Sequence, residues 1–143
     1  GYVLVAPGAA DVRKRWDVGG FIDVVGHLCS KGKKVVLVGD HNDKPVGARI
    51  AAVFSERVLD LCGRTSLIEL AGVVAGAAFA VTNDSGTMHL ASYFDRPVIA
   101  LFGRTDPFFY GPWSGRSVVL RKGPDMASIS AEEVIAEVDK FLC

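Results

Sequence analysis

The sequence predicts an α/β fold: a Rossmann-like parallel sheet with helices on both faces. Three observations predict it. Short β-branched runs recur along the chain. Those runs are continuously apolar rather than alternating, as befits strands buried on both sides. Between them lie segments with helical apolar spacing and recognisable caps, the alternation expected of a parallel sheet.

Val3-Leu4-Val5-Ala6 is the first run, and the chain opens directly into it from Tyr2. Asp17 can cap a first helix, whose apolar stripe is Val18, Phe21, Ile22, Val25, Leu28 and Cys29. That is the three- and four-residue spacing of one buried face, and Gly32 can end it. Val35 to Val38 is a second strand and Val58 to Leu61 a weaker third. Ser66 and Glu69 form a capping-box pattern before a helix burying Leu67, Leu70, Ala71 and Val74. Phe79 to Thr82 and Val98 to Phe102 are strong strands. A shorter helix from Gly86 to Phe94 is expected to turn Thr87, Leu90, Ala91 and Phe94 inward. Val118 to Leu120 reads as an edge strand. Ser130 and Glu133 repeat the capping pattern before Val134, Ile135, Val138, Phe141 and Leu142.

The 143 residues suit one domain, and with half of them hydrophobic a substantial core is available. Net charge is zero, which argues against broad nucleic-acid binding while leaving room for a local anion site. Cys29, Cys62 and Cys143 are odd in number and widely spaced, unlike a disulfide framework or a zinc site. Cys29 reads as a buried free thiol, and reduced, cytoplasmic chemistry is expected. No segment has the length and apolarity of a membrane span, and no leader pattern is present. The abrupt start in a strand suggests a piece of a longer protein.

Ligands of open parallel sheets bind beyond the carboxyl ends of the strands, so the loops there matter most. They are residues 7–17, 39–45, 63–66, 83–87 and 103–112. In Val81-Thr82-Asn83-Asp84-Ser85-Gly86-Thr87-Met88-His89 a strand ends, a small polar turn follows and a helix begins. The backbone N–H groups of Ser85, Gly86 and Thr87 would lie at the helix N-terminus, where free donors and the helix dipole suit a phosphate. Gly86 has no Cβ to block close approach. His89 can reach the same anion, and Asp84 can accept hydrogen bonds from sugar hydroxyls. An equally open reading makes Asp84 and Ser85 simple helix caps and His89 a surface residue. The turn is neither a Walker loop nor a dinucleotide fingerprint. Arg13, Lys14 and Arg15 gather after the first strand and can neutralise a diphosphate, or be solvated surface charges. Trp16 reads as packing rather than base stacking. The glycines, prolines and aromatics from Leu101 to Trp113 suggest an ordered loop beside the site, or merely a well-packed one.

Four segments together resemble the glycosyltransferase family of the ADP-heptose:lipopolysaccharide heptosyltransferases. Pro7-Gly8-Ala9 with Lys14-Arg15-Trp16 resembles its first donor loop. Cys62-Gly63-Arg64-Thr65-Ser66-Leu67 resembles its Gly-x-Thr-Ser-Leu segment. Thr82 through Ala91 resembles its Asn-Asp-Ser-Gly-x-x-His-x-Ala motif, and Pro97 through Pro107 its Leu-Phe-Gly-x-Thr-Asp-Pro stretch. The resemblance covers nearly the whole chain.

It implies the C-terminal half of a GT-B glycosyltransferase, with residues 1–143 as the nucleotide-sugar-binding domain and the N-terminal acceptor domain, which would carry the carboxylate base, absent. It implies that Lys14 neutralises the diphosphate while Ser85, Gly86 and Thr87 cradle it. Asp84 and His89 would lie near the donor's sugar and phosphates, and Thr65 beside the nucleoside. Lys14 and Asp84 are the expected catalytic pair. Ala9 and Ala10 depart from family members that carry a hydroxyl there, and Asp40 or Asp43 aligns only loosely with a family carboxylate near the donor. The expected reaction is inverting transfer of heptose from ADP-heptose to a lipopolysaccharide core precursor, without cofactor or metal. The acceptor and any peripheral contact with the inner membrane would come through the second domain. Two other readings stand beside it: a related enzyme using another nucleotide-sugar, and a non-catalytic flavodoxin-like binding module.

Overall fold

The computed structural model describes residues 1–112 and 115–142, without the side chains of Phe109 and Tyr110. Trp113 and Cys143, noted in the sequence, lie outside the described residues. Six strands form one sheet: β1 Val3–Ala6, β2 Val35–Leu37, β3 Val58–Asp60, β4 Ala80–Asn83, β5 Val98–Phe102 and β6 Val118–Arg121. Every pairing is parallel and the order is β3-β2-β1-β4-β5-β6, the doubly wound arrangement. Leu4 pairs with Val36 on one side and Ala80 on the other. Chain direction therefore reverses its progress across the sheet between β1 and β4, and their loops splay apart there.

Strand residues divide by parity between two cores. Val3, Val5, Val35, Leu37, Val81, Ile99 and Leu101 pack on one face, against helices α1 Val18–Ser30 and α6 Ala131–Leu142. Leu4, Ala6, Val36, Ala80, Val98 and Ala100 pack on the other, with α3 Leu67–Ala75 and α4 Gly86–Tyr93. Burial on both faces is why the runs carry no alternation.

The helices differ from expectation in several ways. In α1, Gly20 and Val24 join Phe21, Val25 and Leu28 in the core, while Val18, Ile22 and Cys29 are half-buried. Asp17 precedes α1 but makes no side-chain cap bond. Helix α2, Lys44–Ala51, was not expected, because only Gly47 and Ile50 are buried and so sparse a stripe gives little periodicity. Its first turn carries Pro45, whose fixed φ suits that place. In α3 the capping box forms as expected, but Leu67 is 76% exposed and only Val74 is fully buried. In α4 the inward residues are Met88, Ala91 and Ser92, with Thr87 and Leu90 half-buried, so the helix is rotated from the expected phase. A short helix α5, Pro107–Tyr110, follows β5. Gly32 ends α1 with φ +80°, as its position suggested.

Trp16 is a packing residue. It is 5% exposed, stands edge-on to Phe21 with ring centroids 5.1 Å apart, and donates its indole N–H to the Ile129 carbonyl at 2.9 Å. The Gly20 backbone lies directly under that ring, where an added Cβ would meet Trp16 at 2.5 Å. Gly72, also inside a helix, has open space. Helix propensity alone favours alanine at both positions by roughly 1 kcal/mol. Gly72→Ala should therefore raise stability, while Gly20→Ala should lower it by about 1–3 kcal/mol through overpacking. Urea denaturation of the two variants tests this; equal stabilisation by both would refute the close packing on Trp16.

Candidate functional site

The site is built where the β1 and β4 loops separate. The buried side chain of Asn83, at the end of β4, ties those loops together. Its Oδ1 accepts the Trp16 N–H at 3.1 Å, and its amide donates to the carbonyls of Pro7 at 3.1 Å and Gly8 at 3.2 Å. The turn after it places Ser85 at the N-terminus of α4 in extended conformation.

Caps on the other helices give that terminus its meaning. At α3, Ser66 Oγ accepts from Glu69 N–H at 3.1 Å and Ser66 N–H donates back to Glu69 at 2.8 Å. Ser130 and Glu133 do the same at α6. At α4 the Ser85 side chain makes no cap bond, and its Oγ is buried with no hydrogen-bond partner among the described residues. The donors of α4 are therefore not covered by the residue best placed to cover them, and the helix dipole points into open space. A Cβ at Gly86 would meet nothing within 4 Å.

Two adjoining clefts meet at this terminus and share Ala10, Ser85, Gly86 and His89. The larger, of about 690 Å³, runs over the β1, β2 and β3 loops; Thr65 and Thr87 line it, with an apolar wall of Val38, Leu67, Leu70, Leu90 and Tyr93. The smaller, of about 590 Å³, adds Asp11, Lys14, Asp84 and Thr105. All seven residues singled out in the sequence, Lys14, Thr65, Asp84, Ser85, Gly86, Thr87 and His89, thus border one or both of these adjoining clefts.

The three clustered cations do not act alike. Arg13 hydrogen-bonds Asp11 at 3.0 Å on the surface; that bond, with the Arg13 backbone N–H, holds the Asp11 carboxyl down at about 2. Arg15 lies 3.5 Å from Asp43 and donates to the Ala9 carbonyl at 2.8 Å. Lys14 alone reaches the smaller cleft, with Nζ 3.4 Å from Asp84 Oδ2; Asp84 is nearly buried and Lys14 one-third exposed. A lysine so placed is held over the cleft while still open to a ligand.

Asp43 aligns only loosely with a family carboxylate. Burial pushes its carboxyl up, the Asp40 N–H opposes this from 2.9 Å, and Asp40's charge adds to it. Gly8 and Gly39 both press on it: an added Cβ would fall 2.0 Å and 2.6 Å from Asp43 atoms. The sequence signal was those glycines at the ends of two neighbouring strands. Asn83 was overlooked for a similar reason, since its partners lie 67 to 76 positions away. Cys62 is buried, with its thiol pushed up by desolvation, and Cys29 is half-buried with a thiol also raised by burial; both are free. Such thiols are inert. Among the described residues, no group of three or more His, Cys, Asp or Glu side chains could hold a metal ion, and no helix is long and apolar enough to cross a membrane.

Comparison with known proteins agrees with this geometry. Residues 1–137 match the model of glycosyltransferase family 9 (heptosyltransferase). The chain is 36% identical over 112 residues to lipooligosaccharide heptosyltransferase 2 of Haemophilus influenzae, an alignment covering 76% of this chain and 32% of that protein. It superposes on the E. coli ADP-heptose lps heptosyltransferase II with a TM-score of 0.92 and 30% identity, covering 99% of this chain and 46% of the other. On the E. coli heptosyltransferase WaaC with ADP the TM-score is 0.90 at 28% identity, covering 98% and 44%. The chain spans from a third to somewhat under half of these relatives' lengths. With its parallel sheet, its uncapped α4 and a family match over nearly all its residues, the chain belongs to glycosyltransferase family 9, the heptosyltransferases.

Proposed function

We propose that this chain is the nucleotide-sugar-binding, C-terminal half of a GT-B enzyme, a cytoplasmic one, that moves heptose from ADP-heptose to a lipopolysaccharide core precursor. The observation that carries the reading is the uncapped N-terminus of α4, opening between two clefts with the Lys14 ammonium beside it. The similar E. coli heptosyltransferase WaaC has been solved with ADP and with ADP-2-deoxy-2-fluoro heptose. The N-terminal half would bring the acceptor and the base that takes its proton.

In this reading the diphosphate lies on the N–H groups of Ser85, Gly86 and Thr87, with Lys14 and His89 beside it. As the acceptor oxygen attacks the anomeric carbon from the opposite face, the bond to the diphosphate breaks and negative charge grows on the leaving group. The helix terminus carries roughly half a positive charge and Lys14 a whole one. Both are in position before reaction, so stabilising the leaving group needs no reorganisation. Thr65, beside the apolar wall of the larger cleft, would meet the nucleoside. Asp84 would accept hydroxyls of the sugar and hold Lys14 in place.

Lys14→Ala in the full-length enzyme should weaken ADP binding tenfold or more, since a charged hydrogen bond is worth about 1.5–3 kcal/mol. Arg15→Ala should weaken it less, because Arg15 already serves Asp43 and the Ala9 carbonyl. Calorimetric titration decides; equal losses would mean a diffuse basic surface, and no ADP affinity at all would favour a non-catalytic module. Gly86→Val should abolish ADP binding with little change in melting temperature, the space beside Gly86 being open. Normal binding by this variant would move the phosphate site elsewhere. Asp84→Asn should leave ADP binding intact or stronger, by freeing Lys14, while weakening ADP-heptose severalfold. An equal loss for both ligands would make Asp84 structural. Transfer should persist in excess EDTA, and its loss, restored by a divalent cation, would refute a metal-free leaving-group site.

A further inference from the structure

The two clefts differ in chemistry. The larger has an extended wall of aliphatic side chains and Tyr93 beside its polar residues. In the smaller, Asp11, Lys14, Asp84, Ser85, His89 and Thr105 present polar groups, beside only Ala10 and Gly86. An apolar wall suits a planar base; a ring of polar groups suits a polyhydroxylated one. Because the two share the α4 terminus, a nucleotide-sugar whose diphosphate rests there would place its sugar in the smaller cleft.

Thr105 is the part of that cleft supplied by the β5 loop, and the loop is pinned on both sides of it. Gly103 is pressed against Pro124 and Met126, where a Cβ would meet atoms at 3.1 Å, and its carbonyl accepts from Arg121 Nε at 2.6 Å. Asp106 caps α5 by accepting the Phe108 N–H at 2.9 Å. Thr105 borders the smaller cleft together with Ala10, Asp11 and Lys14, so the β5 and β1 loops both line it. Thr105 is half-buried and lines the cleft, and its hydroxyl can both donate and accept. Lys14 can only donate, and an ionised Asp84 can only accept.

We propose that Thr105 is a specificity-determining contact for the donor sugar, its hydroxyl hydrogen-bonding a ring hydroxyl of the glycosyl group. The proposal rests on the donor reading above. A neutral hydroxyl sharing a cleft with a cation and two carboxylates selects for the position of a sugar hydroxyl, where charges alone would attract any polar group.

The test uses the full-length enzyme and three proteins: wild type, Thr105→Val, which keeps the shape and removes the hydroxyl, and Thr105→Ser, which restores it. Each is titrated with ADP and with ADP-heptose, and assayed for transfer over a range of donor concentrations. Thr105→Val should bind ADP within twofold of wild type and ADP-heptose about three- to tenfold more weakly, the size of one neutral hydrogen bond. Its KM for the donor should rise by a similar factor, and Thr105→Ser should recover most of the loss. Unchanged ADP-heptose affinity in Thr105→Val would overturn the assignment. So would an equal loss for ADP and ADP-heptose, which would make Thr105 a support for the loop. If wild type binds ADP but gains nothing from the heptose, or binds neither, the donor reading itself falls, and Thr105 with it.

Discussion

The amide of Asn83 is the constraint on which the rest of the site depends. It sits at the carboxyl end of β4, fully buried, and joins three backbone groups of the β1 loop. Parallel neighbours at a topological switch have loops that run to opposite sides, so the sheet alone leaves a gap there. Asn83 sets the width of that gap. It fixes Pro7 and Gly8, the latter lining the larger cleft, and Trp16 before α1, while the residue after it, Asp84, faces Lys14. Each neutral hydrogen bond adds only about 1 kcal/mol net, but leaving the buried carbonyls and N–H unmet would cost about 1–3 kcal/mol each.

Electrostatics then divides the labour among three consecutive residues. Arg13, Lys14 and Arg15 each face a different carboxylate: one on the surface, one in the smaller cleft and one at the floor of the larger. The pairing leaves net charge near zero while placing one ammonium beside the helix terminus. Asp84 is the counterweight. Held at 3.4 Å, it orients Lys14 without sealing it from solvent. Arg15 and Asp43 brace the loops instead, and the close approach of Gly8 and Gly39 to Asp43 makes that brace tight.

The helices show the same economy. At α3 and α6 the first turn is closed by a reciprocal serine–glutamate cap. At α4, whose first turn borders both clefts, the serine side chain makes no such bond. The exposed Leu67 follows a related logic: it begins α3 yet borders the larger cleft rather than the core, leaving apolar surface for a ligand to cover.

By itself the sequence determined what is local. Continuous apolar runs marked the strands to within about a residue, because burial on both faces writes itself into consecutive positions. The caps at Ser66 and Ser130 were legible because both partners lie within one helical turn. The polar turn at Asp84 and the motif around it were legible for the same reason. The structure decided what depends on distance in space. Helix α2 has too few buried residues to show a period, and the phase of α4 follows from which neighbours it packs on, Met88 rather than Thr87 turning inward. The pairing of Lys14 with Asp84, the bridge from Asn83 to Pro7 and the meeting of Asp43 with Gly8 each join residues from different loops. A sequence orders side chains along one dimension, and only the parallel sheet, by carrying successive strand ends to the same edge, brings those loops within reach of one another.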